Sequence, residues 1–136
     1  MPNQNGGHAT QHVGNTILMV MMDVDPEDEE EFHCWYNQQH IPERLEIPGY
    51  VSARRFKLES GDDGMLKYLC IWEMDDSSAM EHEMYKAQST DPTALYERVT
   101  KTVKARARAV YTQIFPKTGA YEDKSGFHPR HQEISA

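Results

Sequence analysis

The chain has 136 residues and a formal net charge of −8, and this length suits a single domain with a substantial hydrophobic core. The acidic balance argues against a nucleic-acid partner, and no stretch approaches the ~20 apolar residues that a membrane span requires. The two cysteines provide neither a disulfide framework nor a metal-ligand spacing, so we expect a cytoplasmic protein without a bound metal.

Two polar tails flank the predicted domain. Residues 1–15 and 117–136 are polar, contain several glycines and show no period, which is typical of mobile termini. The domain itself is expected to span residues 16–116.

The first half of the domain predicts a strand followed by a helix. Thr16–Val24 is an apolar run rich in strand formers and predicts a buried strand. Asp25 and Pro26 are typical of a helix start, and the acidic residues that follow favour a helix that continues to about His40. Its inward-facing residues are expected at i, i+3, i+4 and i+7, namely Phe32, Trp35, Tyr36 and Gln39.

The second half predicts three more strands and further helical segments. Pro48 and Gly49 end the first helical segment. The predicted strands are Tyr50–Glu59, Met65–Met74 and Ala105–Phe115, with a turn at Ser60–Gly64. The predicted helices run from Asp76 or Ser77 to Gln88 and from Asp91 to about Val103.

This element order predicts an α+β fold, the ferredoxin-like split βαβ arrangement, with a four-stranded antiparallel sheet and both helices on one face. The third strand places Tyr68, Cys70 and Trp72 on one side, and it places Leu69 and Ile71 on the other. Both faces are therefore apolar, and exposure of one would leave a patch that monomers avoid. We expect a homodimer in which a second copy covers this face.

The chain resembles the dimeric α/β-barrel superfamily, and within it the EthD-like group. The resemblance covers roughly Ile17 to Phe115 and is carried by the apolar first strand, Trp35, His40-Ile41-Pro42, Pro48-Gly49-Tyr50, Arg54-Arg55, Tyr68 and Trp72. It implies a small homodimer with a pocket between sheet and helices in each subunit, often acting on aromatic or lactone-like compounds. The superfamily includes isomerases, cyclases, cofactor-free monooxygenases, dehydratases and haem-binding members, so the resemblance selects no single reaction.

His40 is the candidate for general acid/base catalysis. An imidazole that titrates near neutrality transfers protons without a cofactor. The predicted end of the first helix lies at this residue, and the negative end of the helix dipole would raise its pKa. The alternative is that His40 only caps the helix by bonding a carbonyl group.

Arg44, Arg54 and Arg55 are candidates for binding a carboxylate or stabilising an enolate. Alternation along a strand allows only one of Arg54 and Arg55 to face the pocket, and Arg54 is favoured because it shares a side with Tyr50. The alternative for each arginine is a surface or intersubunit salt bridge.

Tyr68 and Trp72 alternate onto one face of the third strand, where they either line a pocket or only pack in the core. A buried Tyr68 hydroxyl would be able to position or protonate a substrate. Trp35, Tyr50 and Tyr85 are further candidates for substrate contact. The basic patch from Lys101 to Arg108 is interpreted as structural.

Together these residues predict an enzyme that needs no cofactor and acts on a small aromatic or lactone-like metabolite. Isomerase or lyase chemistry is favoured, because the sequence has no redox motif, nucleophile elbow or phosphate loop. One alternative is a cofactor-free monooxygenase of a phenolic substrate. The other is a non-catalytic protein that binds a hydrophobic ligand.

Overall fold

A computed structural model describes residues 14–122 and Arg130. Four strands, β1 (Thr16–Val24), β2 (Tyr50–Lys57), β3 (Tyr68–Met74) and β4 (Val103–Thr112), form one sheet in the order β2-β3-β1-β4. All neighbouring strands are antiparallel. The predicted fold class is confirmed, and β1 has the predicted bounds.

The helices lie in two groups, one after β1 and one after β3. The first group is a 3₁₀ turn (Pro26–Asp28), α1 (Glu29–Trp35), a π-helical turn (Tyr36–His40) and α2 (Ile41–Arg44). The second group is a 3₁₀ turn (Ser77–Glu81), α3 (Glu83–Thr90) and α4 (Ala94–Thr100). Pro42 lies in the first turn of α2, where the missing N–H group of a proline costs no helical hydrogen bond. The helical segment therefore continues past His40.

The second helical region differs from its predicted bounds because of its capping residues. Asp76 caps the 3₁₀ turn, as expected, but the extended backbone of His82 interrupts the helix before α3. The Nδ1 atom of His82 then accepts a hydrogen bond from the backbone of Met84 at 3.0 Å. Thr93, and not Asp91, caps α4 through its hydroxyl group.

The core lies between the helices and one face of the sheet, which we call the helix face. The most deeply buried side chains come from both layers: Phe32, Trp35, Ile47, Cys70, Trp72, Met74 and Val99. The opposite, open face carries side chains that are half-buried or exposed in the single chain. Its apolar members include Ile17, Met19, Met21, Leu69 and Ile71.

A β-bulge in β2 changes which side chains share a face. Tyr50 pairs with Met74, whereas Ser52 pairs with Glu73, so one extra residue lies between two consecutive pairs. Tyr50 therefore lies on the helix face, while Ser52 and Arg54 lie on the open face. The prediction that Arg54 shares a side with Tyr50 is wrong, because strict alternation does not hold across a bulge.

The predicted tails lie largely outside the described residues. Of residues 1–15 only Gly14 and Asn15 are described, and of residues 117–136 only 117–122 and Arg130. Asn15 extends the pairing of β1 with β4, since its carbonyl accepts a hydrogen bond from the Gln113 backbone at 2.8 Å. Within the described part of the chain, no helix has the length and apolarity of a membrane span.

Candidate functional site

A cavity of about 130 Å³ lies between the helix face of the sheet and the helices. Its aromatic walls are Trp35, Tyr36, Tyr50, Trp72, Tyr85 and Tyr96. Its basic residues are His40, Arg44, Arg106 and Arg108, and no described acidic residue lines it. An apolar cavity of about 150 Å³ binds benzene, so this one has room for about a single aromatic ring.

A π-helical turn brings His40 to this cavity. Its hydrogen bonds run from residue i+5 to residue i, and the backbone of Ile41 donates to the Tyr36 carbonyl. The extra residue in the turn moves the inward stripe from Gln39, which the sequence predicts, to His40. Gln39 instead donates to the Thr93 hydroxyl at 2.5 Å, on the outer side of the helix.

The His40 ring lies in a cage of aromatic side chains. It stacks on the Trp35 ring at a centroid distance of 4.4 Å and an interplanar angle of 16°. It meets the edges of Tyr36 at 5.1 Å and Trp72 at 5.3 Å. The ring forms no capping hydrogen bond to the helix. The geometry therefore does not support the helix-cap interpretation.

The surroundings of His40 keep its imidazole neutral. Burial, followed by the nearby charges of Arg44 and Arg55, lowers the pKa of His40 to about 3. The expectation of a raised pKa is wrong, because the helical segment continues to Arg44 and the ring does not lie at a helix end. A neutral imidazole is able to accept a proton but has none to spare as an acid.

Arg44 provides a buried positive charge beside the ring. Its side chain is only 8% exposed, donates to the Gln88 Oε1 atom at 2.8 Å and lies over the Tyr85 ring at 4.5 Å. The structure shows no carboxylate in an ion pair with Arg44 among the described residues. Because a buried cation normally has an anionic partner, this arrangement is typical of an anion-binding site.

Among the residues that the structure describes, two buried polar atoms of the cavity walls have no hydrogen-bond partner. They are the Trp35 Nε1 atom and the Tyr50 hydroxyl oxygen. Burial raises the pKa of Tyr50 to about 12, so this hydroxyl keeps its proton near neutral pH. Both groups are donors, and buried donors are normally bonded. A bound ligand with oxygen acceptors would satisfy them.

The structure brings most of the predicted site residues together and separates three of them. Those that line the cavity are Trp35, His40, Arg44, Tyr50, Trp72 and Tyr85. The bulge in β2 places Arg54 on the open face. The prediction that Arg54 and His40 line the same pocket is therefore wrong. The catalytic or binding role of each residue stays a prediction.

Arg55 and Tyr68 lie on the helix face but outside the cavity. The Arg55 guanidinium covers the Tyr36 ring at 4.3 Å and donates to the Asn37 Oδ1 atom at 2.8 Å. Tyr68 packs its ring edge-on to His33 at 4.6 Å. Tyr68 lies four positions before Trp72, which is about 13 Å along β3, so Tyr68 does not reach His40 as expected.

Arg106 and Arg108 are charged cavity residues that the sequence interpretation missed. Both alternate onto the helix face of β4, and a guanidinium nitrogen of Arg108 lies 3.4 Å from the Tyr85 hydroxyl. The available signal was that the two arginines share one face of the strand, the face that also carries the apolar residues of β1. A strand that packed fully under helices would carry apolar residues there.

One acidic group among the described residues has a spacing that suits a metal ion. The carboxylates of Asp25, Glu27 and Asp28 lie within 4.8 Å of one another. Lys104 already pairs with Asp25 at 3.0 Å, and none of the three residues lines the cavity. The expectation of no metal and no cofactor stays a prediction.

Solved structures share the fold of this chain at low sequence identity. A dimeric ferredoxin-like protein from an uncultured marine organism has a TM-score of 0.59 at 13% identity, covering 84% of this chain and 96% of that chain. HapK from Hahella chejuensis has a TM-score of 0.55 at 11% identity, with coverage of 78% and 99%. A monooxygenase from the gene ActVA-Orf6 of Streptomyces coelicolor, in complex with nanaomycin D, has a TM-score of 0.55 at 15% identity, with coverage of 82% and 93%.

The sequence comparisons give a family without a described activity. No curated protein matches the chain. A family model described as a domain of unknown function, DUF4286, matches residues 15–114, and the chain belongs to this family.

Proposed function

We propose that the protein is an enzyme that removes a proton from a small aromatic substrate, with His40 as the base. The observation that carries the proposal is the neutral His40 ring beside the buried Arg44, which has no carboxylate partner among the described residues. The cavity size supports a substrate with one ring in this position. The donors on Trp35 and Tyr50 support a ring that carries oxygen.

The proposed step transfers one proton to the free ring nitrogen of His40. The proton leaves an O–H or C–H group of the substrate, and the bonding electron pair stays on the substrate as a phenolate or enolate. Arg44 stabilises the new negative charge, with hydrogen bonds from the unbonded donors of Trp35 and Tyr50. The imidazolium and the anion form together, so each offsets the cost of burying the other.

Return of the proton to a different atom completes an isomerisation, and loss of a leaving group from the anion completes an elimination. This is the isomerase or lyase activity that the sequence favours, and the geometry supports it through His40 and Arg44. The reaction of the same electron-rich anion with dioxygen is the second candidate. The fold shared with the Streptomyces coelicolor monooxygenase supports this candidate. Dioxygen uptake with a panel of phenols distinguishes the two activities.

We also propose a homodimer in which two open faces pack together. The half-buried Ile17, Met19 and Ile71 form an apolar surface there, and a relative of the same fold is described as dimeric. The free thiols of Cys34 and Cys70 support a cytoplasmic location. The EthD-like grouping and the domain bounds of 16–116 stay proposals.

A phenol whose colour reports its ionisation tests the site without a known substrate. We expect 4-nitrophenol bound in the cavity to ionise about 1 to 3 pH units below the free probe, because the positive charge of Arg44 favours the phenolate. The measurement is an absorbance titration of the probe at saturating protein. Arg44→Gln should abolish the shift, and Arg44→Lys should retain part of it.

The control is Lys101→Gln, which removes an exposed positive charge outside the cavity and should leave the titration unchanged. Binding with the same ionisation as in free solution would refute the anion site. Loss of the shift in Lys101→Gln as well would attribute the effect to overall charge rather than to Arg44.

A further inference from the structure

A second cavity adjoins the His40 cavity beside β4. It has a volume of about 300 Å³ and is lined by Met22, Thr100, Val103, Lys104, Ala105 and Arg106. Three of these residues, Met22, Thr100 and Arg106, line the His40 cavity as well. The two cavities therefore share a wall of residues, and we call them the inner and the outer cavity.

The position of β4 explains why the outer cavity is open to solvent. β4 is an edge strand, with β1 as its single neighbour in the sheet. On its helix face Arg106, Arg108 and Val110 are exposed, whereas the corresponding face of β1 is buried. The helices thus cover the centre of the sheet and leave the β4 edge of its helix face exposed.

The outer cavity combines apolar walls with one available positive charge. Met22, Val103 and Ala105 supply the apolar surface. The ammonium group of Lys104 pairs with Asp25 at 3.0 Å. The Arg106 guanidinium forms no ion pair among the described residues. Because Arg106 belongs to both cavities, its charge lies where a ligand would pass from one to the other.

We propose that the inner and outer cavities form one elongated site for an aromatic acid with an aliphatic tail. The inference rests on the proposed function, which places the ring beside His40. The inner cavity of about 130 Å³ has no space for a substituent of several bonds, whereas the outer cavity of about 300 Å³ has this space. The apolar walls contact the chain, and Arg106 binds its terminal carboxylate.

The choice of an acid over a neutral tail follows from the charges on the two cavities. The outer cavity carries Arg106 and Lys104 and has no acidic residue in its described lining. A neutral tail would leave the Arg106 donors to water, while a carboxylate forms charge-assisted hydrogen bonds with them. Arg106 is exposed, so we expect a modest, salt-dependent gain rather than the large one of a buried pair.

Three probes separate the contributions of the aromatic ring, the aliphatic tail and the carboxylate to the binding affinity. They are 4-methylphenol, 4-(4-hydroxyphenyl)butanoate and the amide of this acid, and their affinities are measured by calorimetric titration of the full chain. We expect the amide to bind more tightly than 4-methylphenol, because its chain buries apolar surface. We expect the acid to bind about 3- to 10-fold more tightly than the amide at low salt, with the difference shrinking as salt is added.

The variants locate the charge effect. Arg106→Gln should remove the preference for the acid over the amide. Arg106→Lys should retain part of the preference. Lys101→Gln, a matched loss of charge outside both cavities, should preserve it.

Equal binding of acid and amide by the wild-type chain would overturn the inference. A preference that survives Arg106→Gln would overturn it as well. If 4-methylphenol binds and Arg44→Gln weakens it, but the tail adds nothing, the elongated site fails while the proposed function stands. If none of the three probes binds, the proposed function fails, and the elongated site fails with it.

Discussion

At the scale of single residues, the site depends on charges that the chain leaves unbalanced. The rings of Trp35 and Trp72 shield His40 from water, and the charge of Arg44 opposes its protonation. Arg44 itself has a neutral partner, Gln88. Burying the His40 ring and burying the Arg44 charge beside a neutral partner both cost free energy of folding, and both favour the binding of an anion. Functional sites commonly combine such a cost with a gain in binding.

The low pKa of His40 makes a prediction for stability at acid pH. The unfolded chain protonates this ring near the ordinary pKa of 6.5, whereas the native ring stays neutral down to a pKa of about 3. The unfolded state therefore binds more protons in this window, and the free energy of unfolding should fall as pH falls from about 6.5 towards 3. Urea unfolding across this range measures the effect.

The matched variant for this measurement is His40→Phe, which keeps a stacked ring and removes the titration. Its loss of stability between pH 6.5 and 5 should be smaller than that of the wild type, because few carboxylates titrate in this range. Parallel pH profiles for the two proteins would show that His40 titrates normally in the native state.

At the scale of elements, two irregularities decide which side chains reach the cavity. The π-helical turn moves His40 inward in place of Gln39. The bulge in β2 moves Arg54 to the open face while Tyr50 stays on the helix face. Each irregularity inserts one residue into a regular period, and regular periods are what sequence interpretation assumes.

The connection from α2 to β2 contains a glycine that the fold requires. Gly49 has a φ angle of +96°, and a Cβ atom there would lie 2.9 Å from the Ala79 Cβ atom. We expect Gly49→Ala to lower the free energy of unfolding by about 2 to 5 kcal/mol, from backbone strain and overpacking combined. Thermal and urea unfolding measure this loss.

Gly64→Ala is the matched control. Gly64 has a similar φ angle of +90°, but a Cβ atom there meets nothing within 4 Å. Its cost should be limited to the backbone term of about 1 to 2 kcal/mol. Equal losses in the two variants would show that the contact with Ala79 adds no cost.

At the scale of the whole molecule, the two faces of the sheet have separate tasks. The helix face forms the core and both cavities, while the open face presents apolar side chains to a proposed second copy. The site and the proposed dimer interface therefore lie on opposite sides of one sheet. Changes on the open face are expected to alter assembly without touching the cavity lining.

Met19 lies near the centre of the open face, between Ile71 of β3 and Ala109 of β4. We expect Met19→Glu to convert a dimer into a monomer, because a buried interface does not accommodate an unpaired charge. Sedimentation velocity of the wild-type and variant chains measures this change. Val110→Glu, an equivalent change on the exposed helix face of β4, should remain dimeric. A monomeric wild type at micromolar concentration would contradict the prediction.

The sequence by itself determined the fold class and the bounds of β1, because local periods carry this information, and it named Trp35, His40 and Arg44 as candidates. Only the tertiary structure decided that Arg106 and Arg108 of β4 join them and that Arg54 does not. Strand order and register bring together residues separated by more than sixty positions, and a single bulge reverses a side. The pKa of His40 also belongs to the tertiary structure, because the rings and charges that lower it come from the whole fold as well as from its own helix.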